Sequence, residues 1–196
     1  TGVDFSHPDL IGKNFTCNIN CITQNCVENC SVTDDHGHGT HVAGIIAANG
    51  SIKGIAPDAK IVAVKVLDSA GSGSPDDLKK AIDWCISNSL AYNISIISMS
   101  LGCNSTKDGY TSYCDSEADG CLSDQLAVSV NNATSKNISV IAATGNYANF
   151  SSIASPACIE NTTAVAATDK SDNLWNYNRN SLTDLTATIY LIIFAV

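Results

Sequence analysis

Apolar residues along this chain fall into two rhythms. Lys60 to Leu67 carries Ile61, Val62, Val64 and Val66 in a short β-branched run, which predicts a buried strand. Ile94 to Met99, Ile138 to Ala143 and Thr163 to Thr168 read the same way. Between these runs the period lengthens. Leu78, Ile82, Cys85 and Ile86 share one helical face behind Ser74, a capping residue followed by Pro75, Asp76 and Asp77, all suited to a helix start. Ser123 to Lys136 predicts another helix. His38 to Ala48 predicts the first, anchored by Val42, Ala43, Ile45, Ile46 and Ala47 and stopped by Asn49-Gly50 as a pair that tolerates left-handed backbone. Residues 1–10 read as the end of a strand and a turn bent at Pro8.

Strand, helix, strand, helix, strand with short joins predicts an α/β fold, a parallel β-sheet flanked by helices. Sites in such sheets lie past the carboxyl ends of the strands. Ser100 to Gly102 and Thr144 to Asn146 both sit there, near the start of the first helix. Two polar, cysteine-rich stretches, about 17–33 and 103–121, lack either rhythm and read as insertions. Thr188 to Val196 is an apolar tail too short to span a membrane, and as a free end it would be prone to aggregate.

Composition narrows the class. The 196 residues amount to one domain with a sizeable core. A net charge of −9, without a cluster of Lys or Arg, argues against nucleic acid and anionic membrane as partners. Nine cysteines exceed what an ordinary cytosolic enzyme carries and point to disulfides formed in an oxidising compartment. A four-thiolate zinc site at Cys17, Cys21, Cys26 and Cys30 is the competing reading, although the spacings are looser than a Cys-x2-Cys hook. Eight Asn-x-Ser/Thr sequons, at Asn14, Asn29, Asn93, Asn104, Asn132, Asn137, Asn149 and Asn161, also point to export. Of these, Asn93 opens a predicted buried strand.

Candidate chemistry concentrates at Asp34-Asp35-His36-Gly37-His38-Gly39-Thr40-His41-Val42-Ala43-Gly44. Glycines on both sides of His38 let the backbone approach a neighbour closely and leave the imidazole uncovered, while the apolar run behind it fixes the element in a core. A rigid base with an accessible ring is what proton transfer requires. The same pattern also suits a structural helix start. Three histidines, at 36, 38 and 41, raise the question of a metal centre, but His-Glu-x-x-His is absent.

The run His38 to Gly44 resembles the histidine block of the subtilisin-like serine proteases, and other blocks of that family follow its order. Thr1-Gly2-Val3-Asp4 with His7-Pro8-Asp9-Leu10 is similar to the segment after the catalytic aspartate. Gly54-Ile55-Ala56-Pro57 through Ala63-Val64-Lys65-Val66-Leu67 resembles the next strand. Ser98-Met99-Ser100-Leu101-Gly102 resembles the substrate-binding strand, and Ala142-Ala143-Thr144-Gly145-Asn146 the oxyanion block. The resemblance implies a three-layer α/β/α fold, with residues 1–187 forming part of a catalytic domain and 188–196 lying outside the family pattern. It further implies that His38 is the general base and that Asn146 donates its amide to the oxyanion. Ser100, Leu101 and Gly102 would bind an extended peptide or protein substrate as an added strand, with Gly102 keeping the pocket open. No catalytic cofactor is implied. Asp9 matches a position that helps bind structural calcium in many members, but the six to eight oxygen ligands calcium needs are not apparent.

Two family elements have no match. The catalytic aspartate would immediately precede Thr1, and Asp4 is three residues too late, on the opposite face of an extended chain. The Gly-Thr-Ser-Met-Ala nucleophile block is absent, and Ser155-Pro156-Ala157 lacks its Gly-Thr. Three readings follow: an inactive fragment of a secreted endopeptidase, a pseudoprotease retained for peptide or partner binding, or a cysteine-rich zinc or structural module on an unrelated α/β core.

Overall fold

The computed structural model describes residues 1–23, 25–102, 125–145, 153–168 and 194–195. In chain order its strands are β1 (Ile19–Asn20), β2 (Val27–Glu28), β3 (Lys60–Ile61), β4 (Val64–Lys65), β5 (Ile96–Met99), β6 (Ser139–Ala143), β7 (Thr162–Val165) and β8 (Phe194–Ala195). The helices are α1 (His38–Ala47), α2 (Pro75–Ser87), α3 (Ser89–Tyr92) and α4 (Gln125–Ser135), with a 3-10 turn at Pro8–Leu10. The larger sheet has the order β3-β8-β5-β6-β7, and β5, β6 and β7 run parallel. The smaller sheet is β2-β1-β4.

The expected strand over 60–67 is extended but divided between the two sheets. Neighbouring backbone follows it throughout: Phe15 donates to the Ile61 carbonyl, Ile19 to Ala63 and Cys21 to Lys65. Because side chains alternate across a strand, this stretch has two separate audiences. Ile61 and Ala63 pack with α1, whereas Val62, Val64 and Val66 join the core beneath α2 and α4. In β5, Ile97 and Met99 face that same core and Ile96 faces the α1 side. Helices therefore cover both faces, α1 on one and α2 with α4 on the other. This is the three-layer α/β/α arrangement expected from the sequence.

Helix α2 starts as its residues dictate. Ser74 Oγ accepts the Asp77 amide at 3.1 Å, Pro75 occupies the first turn, and Leu78, Ile82, Cys85 and Ile86 are all buried. Helix α4 matches the described part of the expected element, with Leu126, Ala127, Val130 and Ala133 inward. The end of α1 differs from expectation. Ala48 turns to an extended conformation, and neither Asn49 nor Gly50 adopts positive φ. The chain is turned instead by Asp9, whose carbonyl accepts the Asn49 amide at 2.8 Å.

The first cysteine-rich insertion is a short hairpin, β1–β2, closed by Cys17–Cys30 and Cys21–Cys26 disulfides. That pairing overturns the zinc alternative, because none of the four sulfurs remains a thiolate. The second insertion, 103–121, lies outside the described residues. Cys158 is disulfide-bonded, and Cys85 is free and buried in the core. Asn93 does not open a buried strand: it is exposed, at φ 51°, between α3 and β5. At the C-terminal end, Phe194–Ala195 is no free tail but pairs antiparallel with both β3 and β5.

Candidate active site

His38 is the first residue of α1. Gly37 precedes it at φ 91°, a left-handed conformation that turns the chain sharply into the helix. Gly39 is required for a different reason: a Cβ there would lie 1.9 Å from the Gly2 carbonyl oxygen. The N-terminal segment thus crosses directly over the head of α1, and the glycines flanking His38 permit that crossing.

Side-chain hydrogen bonds fasten the crossing. The Gly39 amide donates to Thr1 Oγ1 at 2.9 Å, and the Asp4 amide donates to Thr40 Oγ1 at 2.9 Å. Asn18 spans from the hairpin, accepting from the Val3 amide and donating to the Val3 and Val32 carbonyls. Asp34 closes the loop before the helix. Its Oδ1 accepts the His36 and Gly37 amides, and its Oδ2 accepts both the amide and the hydroxyl of Thr40, the latter at 2.6 Å. Burial works to raise the Asp34 carboxyl, but bonds from Thr40, Thr1 and Gly37 outweigh it and hold it well below the usual carboxylate range.

Lys65 completes the cradle. It follows Ile61 and Ala63 on the α1-facing side of its strand, so its side chain is carried toward Thr1. Its ammonium donates to the Thr1 carbonyl at 2.5 Å and pairs with Asp35 at 2.6 Å. Although only 5% exposed, it is both paired and hydrogen-bonded, as a buried charge must be.

The His38 imidazole is half-buried, and its pKa is lowered from 6.5 to about 4. Desolvation is the largest cause, followed by the positive α-amino group of Thr1 and then by His36. The His36 ring stands edge-on to His38, centroids 5.9 Å apart. Thr1 is itself 7% exposed, and burial together with Lys65 lowers its amine from 8.0 to about 6. A neutral imidazole in this position can accept a proton; burial first, and then the Thr1 amine, hold its pKa down, while the nearby Asp34 carboxylate works the other way.

Ser100, Leu101 and Gly102 follow directly from β5, and Thr144 and Gly145 from the parallel neighbour β6. The two segments leave the same end of the sheet. Ser100 is buried, Leu101 is half-buried and Gly102 is exposed. A Cβ on Gly102 would come within 2.9 Å of Ala154 Cβ. Close packing on Ala154 therefore requires this glycine, a stronger constraint than the expected one of keeping a pocket open. Asn146 lies outside the described residues. Asp4 Oδ1 accepts both the amide and the hydroxyl of Ser6. Ser155 is 1% exposed and buried in the fold, inaccessible to a substrate.

Asp9, at the position suggested for calcium, is engaged by the loop after α1. Asp9 Oδ1 accepts the Ser51 amide at 2.6 Å, and Lys53 donates to Asn49 Oδ1 in the same loop. His41 is exposed on α1, its amide donating to the Gly37 carbonyl.

Asp34, Asp35, Thr40, Asn18 and Lys65 carry the cradle but had no assigned role in the sequence. Lys65 did leave a signal, as a lone cation within a β-branched run. The others left none, because short polar residues before a helix have many uses.

Comparisons with known proteins find similar chains. The minor extracellular protease Epr of Bacillus subtilis (strain 168) is 40% identical over 151 residues, covering 76% of this chain and 20% of that protein. Subtilisin Savinase of Lederbergia lenta is 38% identical over 152 residues, covering 76% of this chain and 49% of that protein. The chain thus spans no more than about half the length of either. Among solved structures, sphericase superposes with a TM-score of 0.73 at 35% identity, over 90% of this chain and 56% of its own. The model of the subtilase family matches residues 1–192, and the chain belongs to that family.

Proposed function

We propose that this chain is part of a secreted serine endopeptidase that hydrolyses peptide bonds, with His38 as the general base. The observation that carries the reading is the meeting of His38 with the buried start of the chain. Thr1 lies against the head of α1, and its α-amino group acts directly on the imidazole. In a longer protein that amine would be a peptide nitrogen, and the residue before it would be delivered to His38. An aspartate there would replace a neighbouring positive charge by a negative one. It would orient the ring and raise its pKa from about 4 toward the range in which a base works.

The remaining roles follow from the same reading. Asn146 stabilises the oxyanion, and the Ser100–Gly102 segment binds the substrate backbone as an extra strand. The Gly-Thr-Ser-Met-Ala block that carries the family's nucleophilic serine has no match in this sequence. Secretion is supported by the extracellular character of relatives such as Epr and by the paired hairpin cysteines. For subtilisin, removing the serine alone costs on the order of 10^6 in turnover, so this polypeptide by itself is inactive.

Incubating the purified chain with a fluorophosphonate and a quenched protein substrate tests the reading. No labelled serine and no cleavage are expected. The same measurements on a chain extended to include an upstream aspartate and a downstream Gly-Thr-Ser block should give both. Labelling of the unextended chain would overturn its predicted inactivity, and an inert extended chain would overturn the protease assignment.

A further inference from the structure

We infer that Asp34 is a positioning residue for His38, holding the imidazole in place through Thr40 and the loop that enters α1. No other carboxylate of the cradle has this reach. Asp34 accepts the His36 and Gly37 amides and both the amide and hydroxyl of Thr40, with a further side-chain bond from Thr1, and Gly37 and Thr40 bracket His38 in sequence. Thr40 passes the restraint on: its hydroxyl donates to Asp34 Oδ2 and accepts the amide of Asp4. One carboxylate thereby fixes the left-handed turn at Gly37, the first turn of α1 and the segment crossing above it. Asp35, its neighbour, reaches the other way to Lys65, which holds the Thr1 carbonyl. Adjacent carboxylates thus grip opposite sides of the same crossing, but only Asp34 is bonded to the residues around His38.

Asp34 does not donate to or accept from the imidazole in any of these bonds. Its charge also acts on the ring through space, working to raise the His38 pKa, and the titration below separates that effect from backbone placement. The inference concerns the same histidine as the proposed protease reading, but the test needs no proteolysis. Its failure would leave that reading untouched, and an inert extended protease would leave this inference standing.

The test is a titration of the His38 ring by NMR in the full chain and its variants. The charged groups facing the ring's surroundings are the Thr1 α-amino group, His36, His41, Asp35 and Lys65, and all are retained. Asp34→Asn keeps the shape but removes the acceptors for the Thr40 amide and hydroxyl. If Asp34 positions the loop, the ring is released toward water and its pKa rises toward the ordinary histidine value. If the carboxylate acts only as a nearby negative charge, the pKa falls further instead. If it merely stabilises the fold, the titration is unchanged while the denaturation midpoint drops. Either of the last two results overturns the inference. Thr40→Val should reproduce the rise and Thr40→Ser should restore the parent titration, so the question remains answerable if Asp34→Asn fails to fold. A parent-like titration in Thr40→Val would also overturn it.

Discussion

The core beneath α2 and α4 and the cradle at the head of α1 are built from opposite materials. The first is apolar, with Ile82, Cys85, Ile97, Val130 and Val140 sealed between a parallel sheet and two helices. The second is almost wholly polar, assembled from Thr1, Asn18, Asp34, Asp35, Thr40 and Lys65 around the crossing of the N-terminal segment over α1. Apolar packing is tolerant in direction and additive in area. Hydrogen-bonded side chains are directional, and each depends on its partner staying in place. The core therefore sets how stable the chain is, while the cradle sets where one imidazole points.

The largest effect should come from the core. Ile97 is fully buried at the centre of β5, and Ile97→Ala should cost about 2–5 kcal/mol in chemical denaturation. If the division of labour holds, the His38 titration in the surviving folded fraction stays as in the parent. A coupled change in that titration would show that core and cradle form one cooperative unit.

The hairpin disulfide sharpens the contrast from the other side. Cys17–Cys30 closes a sequence separation of 13 residues, and Cys17→Ser with Cys30→Ser should cost about 2–4 kcal/mol. Asn18, immediately after Cys17, ties Val3 to Val32. Loosening this hairpin should therefore disturb the Thr1–Asp4 crossing and shift the His38 resonance, unlike the core substitution. Unchanged His38 resonances would mean that the hairpin braces the fold without bracing the cradle.

These two regions also differed in how far the sequence revealed them. The core was readable because burial imposes a period: Leu78, Ile82, Cys85 and Ile86 recur at helical spacing, and the β-branched run at 61–66 can hardly be anything but a strand. Its division between two sheets was not readable, since that depends on which backbone lies alongside. The cradle gave up only its histidine, through the block around His38. Asp34 and Thr40 are six positions apart with no periodic relation, and their bond exists only because the loop turns left-handed at Gly37. The end of α1 departs from local propensity for a similar reason. Asp9, 40 residues before Asn49, supplies the acceptor that a local left-handed turn would otherwise have replaced. Local propensity cannot register a partner so distant in sequence.

Acidification should weaken the cradle selectively. The His38 pKa is lower in the folded chain, about 4 against 6.5, so the unfolded chain binds more protons between those values. Its contribution is fully present above pH 6.5 and is lost as pH falls through 4. The Thr1 amine behaves alike between 8.0 and about 6, and the depressed Asp34 carboxyl adds loss of the same sign at lower pH. The denaturation midpoint should therefore decline steadily from pH 8 to 4. Acetylating Thr1 should flatten the upper limb, and His38→Gln the lower one. A profile that stays flat in the parent chain would show that neither group is desolvated as the fold implies.

The smallest expected change is at Ser74, whose side chain caps α2 on the far side of the sheet from His38. Ser74→Ala leaves the Asp77 amide without its acceptor and should cost about 1 kcal/mol. Pro75, Asp76 and Asp77 would still favour a helix start there, which keeps the loss modest. Ser74→Asp retains an acceptor and adds negative charge at the helix N-terminus, so thermal denaturation should show it near the parent value. Because α2 touches the core but none of the cradle's hydrogen bonds, both variants should titrate at His38 as the parent does. A shift there from so remote and mild a change would mean that the sheet transmits strain between its faces, and that the polar cradle is positioned by the apolar core after all.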